Sequence, residues 1–261
     1  MKITFAGTGS AFCMGADNFQ SNMVLEVPVA KTGKARPQRL LIDCGSDARH
    51  SLRRMGLAPN DLDAIYISHL HSDHIGGLEW VALSNYFLCG GHRTSLYAMQ
   101  ELLEPLWEHS LRGGLEISDQ GNSTLATYFD VHALAADSGF DFHGVAMTIV
   151  PCEHVVTPQG VMLSYGLFGD CGSKRFFLTT DARFSPEIHM PYYRKADIIF
   201  QDCELGPRHS GVHAHYDQIR TLPDDIKNKM WLYHYQAYDQ PDAKADGFCG
   251  FVQPRQSFDL T

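Results

Sequence analysis

The stretch Ile65-Tyr-Ile-Ser-His-Leu-His-Ser-Asp-His-Ile-Gly-Gly77 places His69, His71, Asp73 and His74 within six residues. Imidazole and carboxylate together suit zinc, manganese or iron, and two adjacent ions could share these four side chains. A merely polar turn would have to use three imidazoles in one loop for packing alone. The apolar run 65–67 leads in as a buried strand. Gly76-Gly77 and an apolar helical stretch lead out, so the four polar residues sit on a loop between a strand end and a helix start.

Such a loop needs a scaffold. The chain has 261 residues, 44% hydrophobic and 20% charged, enough for a sizeable core, and reads as one domain over 1–261. Strands are expected at 2–6, 22–27, 39–42, 65–67, 145–150, 161–168, 175–180, 198–201 and 230–233. Helices are expected at 48–55 (closed by Gly56), 75–88, 96–109 and, interrupted at Pro223, 216–229. The first strand runs into the tight turn Gly7-Thr-Gly-Ser10, whose glycines allow backbone close to a ligand. Residues 28–38 form a solvated loop. The mixed segment 112–141 is left unassigned, an insertion near the mouth of the site being one option, and the tail 246–261 reads as a docked edge. Both halves alternate strands and helices, which fits an α/β protein, a four-layer αββα sandwich whose two sheets face each other.

The helix at 75–88 is apolar at 75, 78, 80, 81, 82, 83, 86, 87 and 88, more than one buried face requires. It either lies deep in the core or packs on a partner chain, and the second option predicts a homodimer. No run of 18 apolar residues suggests a membrane span. The start, Met1-Lys-Ile-Thr-Phe-Ala-Gly, is interrupted too soon for a signal peptide and reads as a strand. Seven scattered cysteines without a CxxC pair fit reduced thiols in the cytoplasm. A net charge of −9 disfavours a long polyanion as partner, but not a small anion held by metals. Of fourteen histidines, His50, His92, His109, His132, His143 and His189 are assigned surface or capping roles.

The pattern His-x-His-x-Asp-His after an apolar strand resembles the metallo-β-lactamase superfamily. That resemblance implies three further ligands downstream, each at a strand end: a His, an Asp and a His. His154 follows Thr148-Ile-Val-Pro, Asp181 follows Phe177-Leu-Thr-Thr, and His234 follows Trp231-Leu-Tyr, in that order. By resemblance, one metal takes His69, His71 and His154, a second takes Asp73, His74 and His234, and Asp181 bridges them. The implied cofactor is two divalent ions, zinc first, with manganese or iron as alternatives. Superfamily members also carry an Asp-x-Gly whose carboxylate supports the metal loop from behind, and Asp43-Cys-Gly45 matches it. No Cys occupies a ligand position, unlike many β-lactamases of the superfamily, and His71 stands where flavodiiron enzymes have Glu.

Within the superfamily, Gly7-Thr-Gly-Ser10 is similar to the turn of the ribonuclease Z branch. That branch carries a non-ligand catalytic His on a His-Ser-Thr segment followed by an acidic residue, Gln and a helix. His213 is followed by Ala-His-Tyr-Asp-Gln and lies 21 positions before His234. It is the candidate general acid, with His215 as second choice because Ala214-His215 replaces Ser-Thr. The implied reaction is phosphodiester hydrolysis. Two cations about 3.5–4 Å apart clamp the phosphoryl oxygens and acidify a water. Asp73 orients that nucleophile and accepts its proton, and His213 donates to the departing oxygen.

Ribonuclease Z grips tRNA with a long basic arm inserted between its third ligand motif and its bridging Asp. Here only residues 155–180 lie between His154 and Asp181, and two strands use most of them. A core without the arm resembles the anti-Pycsar phosphodiesterases of phages and their bacterial relatives. They open 3′,5′-cyclic mononucleotides to blunt host signalling and are dimeric. The expected substrate is therefore a small anionic cyclic nucleotide. Three other readings stay open: a lactonase or thioesterase, a ribonuclease Z-like tRNA 3′ endonuclease, and a non-enzymatic nucleotide-binding protein.

Overall fold

Strand residues alternate between two destinations, and that alternation builds the layers. Ile3 and Phe5, Met23 and Leu25, Leu40 and Ile42, and Ala64 and Tyr66 enter one core. Val24, Leu41, Ile65 and Ile67 enter another. In the second half of the chain Phe176 and Leu178 join the first core, while Phe177, Ile199 and Leu232 form a third. Three apolar layers require four layers of secondary structure, and the computed structural model, which describes residues 1–14, 17–135 and 138–261, has them.

One sheet runs Ser257–Asp259, Lys2–Gly7, Asn22–Val27, Gln38–Ile42, Ala64–Ile67, Thr94–Met99, Phe129–Leu134. The other runs Gly250–Phe251, Met230–Tyr233, Ile198–Asp202, Arg175–Leu178, Gly160–Asp170, Val145–Thr157, Gly139–Phe142. The first core is the seam between the sheets. The second lies under the helices Ala48–Arg54 and Leu78–Leu88, and the third under Pro186–Lys195. The expected αββα sandwich is therefore the observed fold. Among the described residues no helix is long and apolar enough to cross a membrane.

Several expectations need correcting. Residues 96–109 are not one helix: Thr94–Met99 is a strand, and the helix begins at Gln100–Leu106. Thr94, Leu96 and Ala98 are buried with period two, parallel to Ala64–Ile67 on one side and Phe129–Leu134 on the other. Pairing on both edges overrides the helical propensity of Leu, Ala and Met. Segment 112–141 is not an insertion at the mouth. It supplies the last strand of the first sheet, and its Leu115, Leu125 and Tyr128 pack in the second core; 136 and 137 lie outside the described residues. Loop 28–38 contains the helical turn Val29–Thr32. The tail docks as an edge twice, on both sheets. His189 is 1% exposed beneath Phe177 and Tyr193, not at the surface, and burial pulls its imidazole down to about 4.

The helix Leu78–Leu88 divides its apolar circumference. Leu78, Val81 and Ala82 are buried, and Trp80, Leu83 and Tyr86 pack half-buried against the same core. Only Phe87 and Leu88, 57% and 81% exposed, are left for anything outside the chain.

Candidate active site

Most polar side chains of the site stand near a strand end, whereas His154 lies inside Val145–Thr157, at the register shift between Glu153 and Val155, so the strand expected at 145–150 runs on past it. Ala64–Ile67 delivers Ser68 and His69, and the turn Ser72–Ile75 carries Asp73 and His74. Three non-glycine residues beside the site have left-handed backbone: Asp43 (φ 61), Thr180 (φ 53) and His234 (φ 60). That conformation costs about 1–3 kcal/mol per residue, and here it turns the chain sharply enough to aim Asp43, Asp181 and His234 into one cleft. Gly45 lets the strand-end loop touch the histidine loop, because a Cβ there would collide with the Asp73 carbonyl. Hydrogen bonds from Cys44 N to His74 O (2.7 Å) and from Gly77 N to Cys44 O (2.8 Å) lock the two loops together.

All seven expected ligands converge, and they do so as two quartets. His69, His71, His154 and Asp181 bring donor atoms within 4.8 Å of one another, and so do Asp73, His74, His234 and Asp181. Asp181 belongs to both. In the first quartet His71 Nδ1 lies 3.1 Å from His69 Nε2 and 3.1 Å from His154 Nε2, with Asp181 Oδ2 at 3.8 and 3.7 Å from the latter two. In the second, His74 Nε2 lies 3.2 Å from Asp73 Oδ2 and 3.2 Å from Asp181 Oδ2. His234 Nε2 lies 3.3 Å from Asp73 Oδ2 and 3.2 Å from Asp181 Oδ1. Four ligands about 2.0–2.1 Å from a tetrahedral ion stand roughly 3.3–3.4 Å apart, and most of these separations are close to the edges of such a polyhedron.

The outer hydrogen bonds fix which nitrogen of each ring faces the cluster. His74 Nδ1–H donates to Asp43 Oδ2 (2.8 Å) and His154 Nδ1–H to the Val212 carbonyl (2.8 Å). His69 Nδ1–H donates to Ser68 Oγ (3.0 Å), which in turn donates to Asp43 Oδ2 (2.8 Å). With Nδ1 committed outward in each ring, Nε2 is the atom turned to the cleft. His74 Nε2 and Asp181 Oδ1 are buried and make no hydrogen bond among the described residues. Crowded donor atoms and orphaned buried polar atoms cost free energy unless a cation sits between them. The donor set fits two divalent ions. Burial alone would lower His74 and raise the Asp181 carboxyl, but the carboxylates of Asp181, Asp43 and Asp73 hold His74 above its ordinary value, and the charge on His234, His74 and His213 keeps Asp181 ionised.

His213 and His215 separate clearly. His213 Nδ1 donates to Asp202 Oδ2 at 2.8 Å and lies 4.0 Å from Asp181 Oδ2, so the ring borders the cluster without offering it that nitrogen. Burial pulls the His213 imidazole down, but Asp202 and then Asp181 overcome this and hold it above its ordinary value. His215 faces elsewhere. Its Nδ1 accepts from Asp217 N (3.2 Å), its Nε2 donates to the Gly206 carbonyl (2.8 Å), and it caps the helix Tyr216–Ile219. With both nitrogens engaged, it has none left for a substrate. A cavity of about 370 Å³ opens over the cluster, lined by Ala11, Phe12, His71, Ser72, Asp73, His154, Asp181, Val212 and His213, a size suited to a small ligand.

Asp202 carries a role the sequence reading missed. Its Oδ2 accepts from His213 Nδ1 and from Ala182 N (2.9 Å), and its Oδ1 lies 3.3 Å from His234 Nδ1. One fully buried carboxylate thus orients the candidate acid, one ligand and the bridging loop. A signal existed: Asp202 ends the apolar run Ile198-Ile-Phe as Asp181 ends its own. Asp202→Asn should lower turnover by about 10–100-fold, the usual effect of losing an outer partner. Unchanged turnover with unchanged metal content would show that Asp202 only packs.

Known proteins resemble this chain along its whole length. A family model described as anti-Pycsar protein Apyc1 matches residues 1–258. The anti-Pycsar protein Apyc1 of Paenibacillus harenae is 36% identical over 266 residues, covering 100% of both chains. That of Bacillus phage vB_BveM-Goe7 is 37% identical over 246 residues, covering 90% of this chain and 88% of its own. Among solved structures, the metallo-β-lactamase fold protein YhfI from Bacillus subtilis superposes with a TM-score of 0.74 at 19% identity, over 98% of each chain.

Proposed function

The chain belongs to the anti-Pycsar protein Apyc1 family, and on that premise we propose that it is a metal-dependent phosphodiesterase that opens 3′,5′-cyclic mononucleotides and so counters signalling by them. The observation that carries the reading is the pair of ligand quartets sharing Asp181, with His213 set beside them on Asp202. A carboxylic ester would not need a positioned acid, because its alkoxide or thiolate leaves from a collapsing tetrahedral centre. A phosphodiester has a poor leaving group and gains most from one.

The residues divide the work. His69, His71 and His154 with Asp181 would hold one cation, and Asp73, His74 and His234 with Asp181 the other. When bound, the pair neutralises phosphoryl charge and acidifies water. Asp73 takes the nucleophile's proton and fixes its direction. Asp202 holds His213 by its Nδ1, which leaves Nε2 to protonate the departing oxygen. Asp43 and Ser68 keep His69 and His74 in the ligating tautomer. Zinc is the best match to an imidazole-rich donor set, with manganese and iron following. A panel of bis(p-nitrophenyl) phosphate, four cyclic nucleotides, a tRNA precursor and an acyl lactone tests the reading. Turnover of the lactone alone, or of the tRNA alone, would replace it.

The assembly proposed for this function is a homodimer seated on the exposed end of Leu78–Leu88, which starts beside the histidine loop. Sedimentation should then give about twice the chain mass of 29.2 kDa. Phe87→Glu should reduce it to one chain without unfolding, since Phe87 is exposed. Trp80 is the poorer probe, because it packs on the core. A single-chain mass at micromolar concentration would end this part of the proposal.

A further inference from the structure

We propose that Glu204 is a positioning residue that sets the loop 206–213, and through it both the acid His213 and the outer partner of the ligand His154; this rests on the phosphodiesterase reading and names what holds its site together.

The loop joins the strand Ile198–Asp202 to the helix Tyr216–Ile219. Residues 207–211 are exposed, and Gly206 (φ 108) and Gly211 (φ 80) give the loop two left-handed pivots. Such a segment has many backbone states to lose, so its order has to come from specific bonds. Its far end does two jobs in adjacent residues. The Val212 carbonyl accepts from His154 Nδ1 at 2.8 Å, and His213 follows directly, with its Nδ1 on Asp202 Oδ2 at 2.8 Å. A shift of this end would disturb the metal position that His154 serves and the acid together.

Glu204 prevents that shift. Its Oε2 accepts from Ser210 N at 2.9 Å, and among the described residues this is the only hydrogen bond from 207–211 to the body of the protein. Ser210 Oγ accepts from Val212 N at 3.2 Å and passes the hold along to Val212. The Glu204 backbone grips the end of the loop as well. Its N–H donates to the Ala214 carbonyl (2.8 Å), and its carbonyl accepts from Tyr216 N (3.0 Å). Glu204 is 6% exposed, and among the described residues no basic side chain pairs with it. A buried carboxylate without a counter-ion is a costly way to accept one peptide N–H. What it supplies is a charge-assisted bond, about twice as strong as a neutral one. That strength offsets the freedom of two glycines.

Three variants test this. Glu204→Ala removes the hold, and Glu204→Gln keeps an oxygen for Ser210 N without the charge. Gly211→Ala strains the second pivot in open space, since a Cβ there meets nothing within 4 Å, so it moves the loop without repacking it. At saturating zinc, Glu204→Ala should lower turnover of a cyclic nucleotide by about 10–100-fold, the range for an outer partner. On bis(p-nitrophenyl) phosphate, which needs no acid, the loss should be several-fold smaller. Glu204→Gln should recover most of the rate, and Gly211→Ala should show the same dependence on leaving group as Glu204→Ala. Two readouts need no turnover. Zinc competition should show one of two positions weakened about tenfold or more in Glu204→Ala, with no further loss when the change is made on His154→Ala. Trypsin should cut after the exposed Arg208 faster in Glu204→Ala than in the native chain, and Glu204→Gln should restore resistance. Native zinc affinity with native resistance in Glu204→Ala would overturn the proposal. So would equal losses on both substrates that Glu204→Gln does not relieve. A chain that cleaves neither phosphodiester, yet shows the zinc and trypsin changes, keeps the role of Glu204 and removes the reaction assignment alone.

Discussion

Asp181→Ala is expected to lose both metal positions together, and hydrolysis with them. No other side chain belongs to both quartets. Its Oδ2 and Oδ1 each lie 3.2 Å from a histidine nitrogen of the second quartet, and Oδ2 faces the first at 3.7–3.8 Å. Removing it leaves six ligands whose lone pairs converge on two positions without the shared anion. The loss of metal affinity should therefore exceed the roughly 10–100-fold that follows removal of an outer partner. By contrast, His154→Ala should weaken mainly the first position and His234→Ala the second. Elemental analysis of the three variants after dialysis checks the pattern. Two tightly held ions in Asp181→Ala would contradict the shared carboxylate.

His213→Ala is expected to keep its metals and lose rate by about 10²–10⁴-fold, the range for a positioned general acid. The ring stands beside the cluster with its Nδ1 committed to Asp202 at 2.8 Å, and the proposed contribution is a proton rather than a bond to metal. The dependence on leaving group separates that role from simple binding. An alkoxide needs protonation as it departs, whereas p-nitrophenolate leaves as a stabilised anion. The loss should be largest on a cyclic nucleotide and shrink on bis(p-nitrophenyl) phosphate. Equal losses on both substrates would remove the acid role and return His213 to substrate positioning.

The ligand cluster was legible because its chemistry is written in rare residue types at fixed places: three histidines and an aspartate on one loop, then His154, Asp181 and His234 each after an apolar strand. The layers were legible because side chains alternate, as in Leu40, Leu41 and Ile42, which split between two cores. Asp202 was not legible in the same way. A buried carboxylate that orients histidines looks like any other acid until the strands are aligned and Ile198–Asp202 is found beside Met230–Tyr233. Residues 94–99 misled for a related reason: Leu, Ala and Met suit a helix, and only parallel pairing on both edges makes them a strand. The separation of His213 from His215 lay in the register of one turn, since two residues decide which imidazole meets Asp202 and which caps Tyr216–Ile219.

Paired cations and His213 are proposed to hydrolyse a cyclic phosphodiester at this cluster. Incubating the zinc-loaded protein with a 3′,5′-cyclic mononucleotide in ¹⁸O-labelled water, and weighing the product by mass spectrometry, tests it most directly. The expected product is a linear mononucleotide with one ¹⁸O on its phosphorus, formed by the native chain and not by Asp181→Ala. A cyclic nucleotide left intact by protein shown to carry two ions per chain would contradict it.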